Sequence, residues 1–567
     1  MKAKATRFLD LIEDKVQYLV PRWQRRYVWG ETEIHRLIDD MLAIAEAQNQ
    51  ERPHYGGTMI TVQESSAGGM KVHRVVDGQQ RLTTVSILLA CIAETLNANG
   101  IGGELTGEDI RDDLLINPRK QEDRRRKLRL QDGDEDEYRR IIEGDSAGSG
   151  DGHVASAWRI VRKRVNAENV QSLINGLHRL RVITIGLDDR DDAQQIFESL
   201  NATGKPLTEG EKVKNWLLMG LPEGVQDTLH DDHWLPIEEE LGARHDAERI
   251  DLFLRDVMRW WTGRLVAGNR TYDEFRRWAI REGLDNEARR PELCSRLASL
   301  AALYGQMTGT AAAQASKGVK RKLDHLRAMG IDSHRPFTLR LLSDAQEAGE
   351  SGRDPTWLVH VLGSVSNWIT RLWLAGHSFT GLGKAFVQLA SQSSPADEPD
   401  RARFWQRRMA EVSDQRRSVP SDSEVTEGIR RTSKYGGKDT RATRAVLCAM
   451  MYYEQWDEAP SCGKLTVEHI MPQSLSEAWR NDLGDQAEGI HGRHLHRLGN
   501  LTLCGGRWGS ALSNHSFEKK KKLYENSAVM MTRELAKLPK WDEAAIRERA
   551  EELAKTALTL WPWTGGS

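Results

Sequence analysis

From about residue 212 to 395, apolar side chains recur every three to four positions, as in Leu252, Leu254, Val257, Met258 and Trp261, and again in Leu358, Val361, Leu362, Val365 and Trp368. That period sets each group on one face of a helix, so the middle of the chain reads as amphipathic helices burying their stripes on one another. A helical block of that length leaves both ends to build structures of their own, and 567 residues suffice for about three or four domains. The first third keeps a different rhythm. Residues 71–76 (KVHRVV) are short and β-branched, Asp77-Gly78-Gln79-Gln80-Arg81 interrupts them, and residues 82–96 continue as an apolar helix. Residues 181–187 (RVITIGL) alternate like a second strand, with a helix expected through Ile196, Phe197 and Leu200. The fold class expected is α+β and mostly helical: a mixed α/β domain over 1–215, a helical domain over 216–395 and a further domain over 396–567. Two segments rich in small and turn-forming residues punctuate this order. Residues 143–153 (EGDSAGSGDGH) read as a surface loop within the first domain, and 391–399 (SQSSPADEP) as an interdomain region.

Charge is nearly balanced, with 81 Lys+Arg against 83 Asp+Glu, which excludes a uniformly basic nucleic-acid binder. Its distribution is uneven. Residues 1–30 carry seven basic and three acidic side chains (+4), 401–444 carry twelve and six (+6), and 223–256 carry three and eleven (−8). Two basic surfaces around an acidic middle can meet phosphates separately, although solvated helix faces give the same counts. The five cysteines are too few and scattered for a disulfide framework and form no CxxC zinc pair. No apolar run approaches the roughly 20 residues that span a bilayer, and charges in MKAKATRFLDLIEDK occupy the place of a signal peptide's apolar stretch. A cytoplasmic protein with no membrane partner is expected.

A strand that turns on a glycine into a helix presents free backbone N–H groups and the positive end of the helix dipole, which suits a phosphate. In DGQQR, Arg81 can add a bidentate guanidinium, and Gln79 and Gln80 can fix a base or orient water; Asp77 needs a cation or a ribose hydroxyl between it and the phosphate. An Asp77 N-cap and a surface Arg81 fit the same string. Val20-Pro21-Arg22-Trp23-Gln24-Arg25-Arg26-Tyr27-Val28-Trp29 packs three arginines and three aromatics into ten residues, a composition for apolar contact combined with phosphate neutralisation. Tyr27 and Trp29 suit core packing better than DNA contact. IFESLNATGKPL closes a helix in a glycine-containing turn that carries Asn201 and Lys205.

In order and spacing, VPRWQRRYVW, DGQQRLTT and IFESLNATGKPL resemble the N-terminal domain of the GmrSD-type modification-dependent restriction proteins, over roughly residues 1–215. The resemblance implies a ParB-like fold that binds and hydrolyses a nucleoside triphosphate, with Asp77, Gly78, Gln79, Gln80, Arg81, Asn201 and Lys205 at the nucleotide.

The C-terminal end carries a second constellation. Val467-Glu468-His469-Ile470-Met471-Pro472 precedes Leu498-Gly499-Asn500-Leu501-Thr502-Leu503, and Leu512-Ser513-Asn514-His515 leads into a lysine-rich helix. Phosphodiester hydrolysis by water needs an imidazole to take the proton and a divalent cation to hold the phosphate. His469 supplies the first. Glu468 with Asn514 or His515 can supply ligands to the second, Glu468 only if the strand ends or bulges there. Asn500 can hold the His469 ring or brace the loop. Lys519, Lys520, Lys521 and Lys522 fit a phosphate clamp and a solvated face about equally.

This pattern resembles the HNH (ββα-metal) nuclease domain of the same family, over roughly 440–530, and implies Mg²⁺ or Mn²⁺ as cofactor, His469, Asn500 and Asn514 as catalytic, and Glu468 and Asn514 at the metal. Family members commonly carry Asn where this chain has Trp508-Gly509-Ser510, which puts the ligand set in question. Both halves on one chain behind VPRxQRRYVW look most like the SspE-type members, which respond to phosphorothioate DNA. Pro21, Arg22, Trp23, Gln24 and Arg25 would then form the modified-DNA pocket, with apolar contact favouring sulfur and guanidiniums pairing the charge. Trp23 stands where the family commonly has Tyr, which removes a hydroxyl. The expectation is an antiphage restriction enzyme that senses modified double-stranded DNA, turns over GTP or another nucleoside triphosphate, and nicks or cleaves DNA. The alternatives are recognition of glucosylated or hydroxymethylated cytosine, and a non-cleaving nucleotide-gated DNA-binding regulator. Homo-oligomer formation stays open.

Overall fold

The computed structural model describes residues 2–13, 15–46, 54–64, 70–103, 105–144, 149–187, 206–243, 246–311, 315–349, 355–393, 400–455, 459–506, 508 and 512–563. The chain divides into two compact units, Met1–Trp234 and Leu235–Ser567. The expected helix through Ile196, Phe197 and Leu200, with Asn201 and Lys205, lies outside the described residues, as does Gly509.

The first unit is built on a six-stranded mixed sheet in the order β1-β6-β3-β4-β2-β5, with β1 Lys2–Arg7, β2 Val16–Leu19, β3 His54–Gln63, β4 Lys71–Asp77, β5 Leu128–Arg129 and β6 Leu180–Leu187. Strand β4 runs antiparallel to β3 and parallel to β2, so its β-branched residues pair on both sides. Both strands expected from the alternation are present. Helix Gln79–Asn99 leaves β4 through Gly78 and forms the centre of the unit, with Leu82, Val85, Ile87, Leu88, Cys91 and Ile92 all buried. By length and composition this helix could cross a membrane, which corrects the reading that no run is long enough. Its most apolar window is 78% buried inside the unit, as expected of a core helix. Gly176 lets helix Val170–Arg179 lie directly on helix Glu31–Glu46, where a Cβ would stand 2.2 Å from the Met41 carbonyl oxygen.

In the second unit helices dominate, and most of the amphipathic stripes read from the sequence face inward: Leu254, Val257 and Met258 on Glu248–Thr262, where Leu252 and Trp261 are only half-buried and Phe253 and Trp260 are buried instead, and Leu358, Val361, Leu362, Val365 and Trp368 on Thr356–Ala375. Helices Leu382–Ala390 and Arg401–Arg416, on either side of the SQSSPADEP segment, belong to this one unit. Its only sheet among the described residues is the antiparallel pair β7 Leu465–His469 and β8 Leu501–Gly505, in register from Leu465 opposite Gly505 to His469 opposite Leu501. Around the pair, Trp479, Phe517, Tyr524 and Trp541 form an aromatic core. Arg371, 1% exposed, is held by the carbonyl oxygens of Pro420 and Trp561, both at 2.9 Å, and by the Asp422 carboxylate, drawing the end of helix Glu543–Leu560 onto helix Thr356–Ala375. Cys448 and Cys462 are joined in a disulfide, a pairing the cysteine spacing does not announce; Cys91, Cys294 and Cys504 are free and buried.

Candidate functional site

In the first unit, β4 ends at Asp77, and Gly78 takes a left-handed conformation (φ 95°) that a side chain would strain. Helix Gln79–Asn99 starts there with Gly78 at the N-cap and no side-chain cap, so the Asp77 N-cap is not what forms. Arg81 Nη1 donates to the Thr58 carbonyl at 3.0 Å, and Gly57 leaves the space its guanidinium fills. Burial pulls the Arg81 guanidinium below its ordinary range against the opposing pull of Asp77; burial likewise raises the Asp77 carboxyl, against the Gly78 N–H, Arg81 and Arg25.

The structure brings DGQQR and VPRWQRRYVW together. Gln80 accepts from Val28 N–H at 2.8 Å and donates to the Arg26 carbonyl at 3.0 Å; Gln79 donates to Gln24 Oε1 at 2.9 Å and to the Arg25 carbonyl; Gln24 donates to the Val76 carbonyl. Both glutamines are buried, and their amides clamp one strip to the other instead of standing free for a base or a water. Of the amide atoms of these two glutamines, Gln79 Oε1 is the one buried without a partner among the described residues. Trp23 is 2% exposed, so its ring is not offered to DNA in this arrangement, and Gln24 beside it is equally enclosed. Tyr27 is buried and Trp29 packs on the core. Pro21 and Arg22 line a small cavity of about 110 Å³. Arg22 itself is ringed by Asp132 at 2.8 Å, Asp227 at 2.9 Å and Asp231. The acidic stretch read as a helical-domain feature thus supplies two of the carboxylates that neutralise the proposed DNA-contacting arginine.

In the second unit His469 closes β7, 4% exposed, with its Nε2 3.1 Å from His496 Nδ1 and Tyr435 edge-on at 4.3 Å. Burial, then His496, Lys520 and His491, push the His469 imidazole down to about 3, so it is neutral at physiological pH. Asn500 is fully buried. Its Oδ1 accepts from Met471 N–H at 2.8 Å and Trp541 Nε1 at 3.0 Å, and its Nδ2 donates to the carbonyls of Met471 and Leu495, both at 3.0 Å. Of the two roles open to it, Asn500 takes the bracing one. Glu468 points away from His469 to Lys520, whose Nζ lies 2.9 Å from Oε1 and donates to the His469 carbonyl at 2.7 Å. Lys520 is fully buried while Lys519 and Lys522 are exposed, so the lysine run is neither a uniform clamp nor a uniform solvated face. Asn514 and His515 are exposed just ahead of helix Phe517–Tyr524.

Beside His496, Arg497 lines a cleft of about 370 Å³ with Arg430, Arg431 and Arg547. Burial and the neighbouring Arg493, Arg547 and Arg431 hold its guanidinium below the ordinary range. His496, Tyr435 and this arginine group escape the motif reading, although HGRHLHRLGN (491–500) is dense enough in His and Arg to have flagged them.

Residues 8–218 match the GmrSD restriction endonuclease N-terminal domain, and residues 419–556 match the GmrSD C-terminal domain. The chain carries both domains of the GmrSD restriction endonucleases. No curated protein matches it. The GmrSD domains mark a DNA restriction endonuclease of phage defence, and the chemistry of that class implies a divalent cation. The described residues do not fit such an ion as they stand. No group of three or more His, Cys, Asp or Glu gathers among them, and the one carboxylate beside His469 faces a lysine.

Proposed function

We propose that this GmrSD-type chain is a modification-dependent nuclease in which the first unit reads phosphorothioate DNA and turns over a nucleoside triphosphate, GTP favoured, and the second unit nicks or cuts DNA at His469. The observation that carries the reading is the buried His469 imidazole at the end of β7, on a turn pinned by Asn500 and against His496, the neighbour in sequence of Arg497. Burial leaves this imidazole a weak base, and an anionic phosphate bound beside it would raise its basicity toward what taking a proton from water requires. Of the cleft arginines, Arg430, Arg431 and Arg547 are held by Glu551, Glu427 and Glu543, and Arg497 has no ion pair among the described residues. β7, β8 and helix Phe517–Tyr524 follow the strand, strand, helix order of an HNH domain. For the nucleotide, the uncapped helix start at Gly78, with Arg81 and the unpartnered Gln79 Oε1, is the supporting feature.

Plasmid nicking, with and without phosphorothioate, nucleotide and Mg²⁺ or Mn²⁺, is the test. His469→Ala should abolish nicking and leave nucleotide turnover intact; retained nicking refutes the assignment. A second reading keeps the family and changes the target to hydroxymethylated or glucosylated cytosine. It is favoured by the enclosure of Trp23 and the ring of carboxylates on Arg22, which leave no open apolar wall for sulfur. Nucleotide turnover on phosphorothioate against hydroxymethylcytosine duplexes separates the two.

A further inference from the structure

The second unit holds a cleft of about 570 Å³, well within the range of small-molecule sites, that the nuclease reading does not use. One wall is helix Lys317–Met329, with Arg321, Lys322 and His325; the other is helix Lys438–Gln455, with Ala445, Ala449, Tyr452 and Tyr453; Leu560 and Trp561 close one end.

Its electrostatics are one-sided. The single lining carboxylate, Asp324, is taken by Lys320 and Arg327, while Arg321 and Lys322 have no ion pair among the described residues. Burial, with Arg321 alongside, lowers the Lys322 ammonium, the expected cost of a cation kept half-buried without a counter-charge. The apolar side is aromatic. Tyr452 and Tyr453 are 42% and 47% exposed, unusual for adjacent rings, and the Tyr452 hydroxyl accepts from Cys462 N–H at 3.0 Å, which fixes its ring at the rim. Trp561 stacks on His325 with centroids 5.8 Å apart. Cations without partners beside exposed rings match a ligand that joins an anion to a flat π-face.

We propose that this cleft is a nucleotide site, with the phosphate at Arg321 and Lys322 and the base against Tyr452 or Tyr453. It is separate from the strand-turn-helix of the first unit. The occupant is a free mononucleotide or one nucleotide of a DNA strand, which share this chemistry. Cys462, bonded to Cys448 on the cleft wall, lies three residues before β7, so an occupied cleft abuts the segment that leads to His469.

Photo-crosslinking the full chain tests this, with 8-azidoadenosine 5′-monophosphate in one arm and a short single-stranded oligonucleotide carrying 5-iododeoxyuridine in the other. Peptide mapping should place label on the segment containing Tyr452 and Tyr453 or the one containing Trp561. Arg321→Ala with Lys322→Met should cut that label about tenfold or more. Label from the monophosphate alone identifies a free nucleotide, label from the oligonucleotide alone a DNA strand. If the double variant loses its melting transition, Tyr453→Ala, a change at an exposed ring, carries the same expectation. Absence of label on these peptides in both arms, or label undiminished in the variants, overturns the proposal.

Discussion

Lys520→Met is the sharpest test of how the nuclease strand is held. Lys520 is fully buried, and its ammonium is the only cation paired with Glu468 among the described residues, the Glu468 side chain being 13% exposed, while also donating to the His469 carbonyl. Methionine keeps most of the volume and removes the charge, leaving a carboxylate stranded beside Tyr524 and Cys504. Breaking one side of a buried pair costs about 3–5 kcal/mol. For a unit of this size that lowers the melting temperature by on the order of 5–10 °C. Adding Glu468→Gln removes the stranded charge and should recover about 2 kcal/mol or more, a coupling that a double-mutant cycle by urea unfolding reads directly. The pH dependence has a definite sign. Burial already raises the Glu468 carboxyl, and loss of Lys520 raises it further, so the penalty grows as pH rises above the unfolded carboxylate value and shrinks on acidification. A single-variant cost below about 1 kcal/mol, or strict additivity in the cycle, would refute the claim that this pair organises the strand.

Two buried groups, one in each unit, should respond oppositely to acid. His334, buried and pushed down to about 3, stays neutral in the fold, so the second unit loses about 2 kcal/mol through this group alone as pH falls from about 6.5 to 5; Asp134, raised to about 6 by burial, is relieved on protonation, and the first unit gains about 1.4 kcal/mol from it over the same fall. Hydrogen exchange at pH 7 and pH 5 checks both signs, and His334→Gln should remove about 2 kcal/mol of the second unit's loss, while His325 and His469, also pushed down by burial, keep the remainder. At the Arg22 ring, Asp132→Asn with Asp227→Asn and Asp231→Asn frees the guanidinium and should tighten duplex binding several-fold at low salt by fluorescence anisotropy; unchanged affinity would show that Arg22 does not meet phosphate.

Local order was legible where one period or one turn decides it. KVHRVV became β4, RVITIGL became β6, Gly78 takes the left-handed turn, and the stripes at Val257 and Val361 face the core. Partnership across long separations was not. Nothing local to PRWQRR says that Gln79 and Gln80, more than fifty residues on, will fasten its backbone, and a solvent-facing strip and a clamped one have the same composition. The lysine run failed for a related reason: four like residues at consecutive positions point around a helix, so one of them had to face inward, and only the strand it meets decides which. Asn500 was read with both of its possible tasks, and its surroundings chose, because a side chain with two donors and one acceptor oxygen satisfies a tight turn better than any neighbour can.

The hold of Arg371 on Trp561 and Pro420 turns the last stretch of the chain into a keystone for helices laid down almost two hundred residues earlier. A ribosome that has finished helix Thr356–Ala375 has made a buried guanidinium whose carbonyl partner is still unwritten. Until residue 561 emerges, that charge has to stay in water or in a provisional contact, so this part of the second unit reaches its final packing only after some 190 further residues have been made. A nick or stop codon just ahead of Trp561 would therefore unsettle a helix far from the cut, and the damage would register as lost folding yield before it registered as lost cleavage.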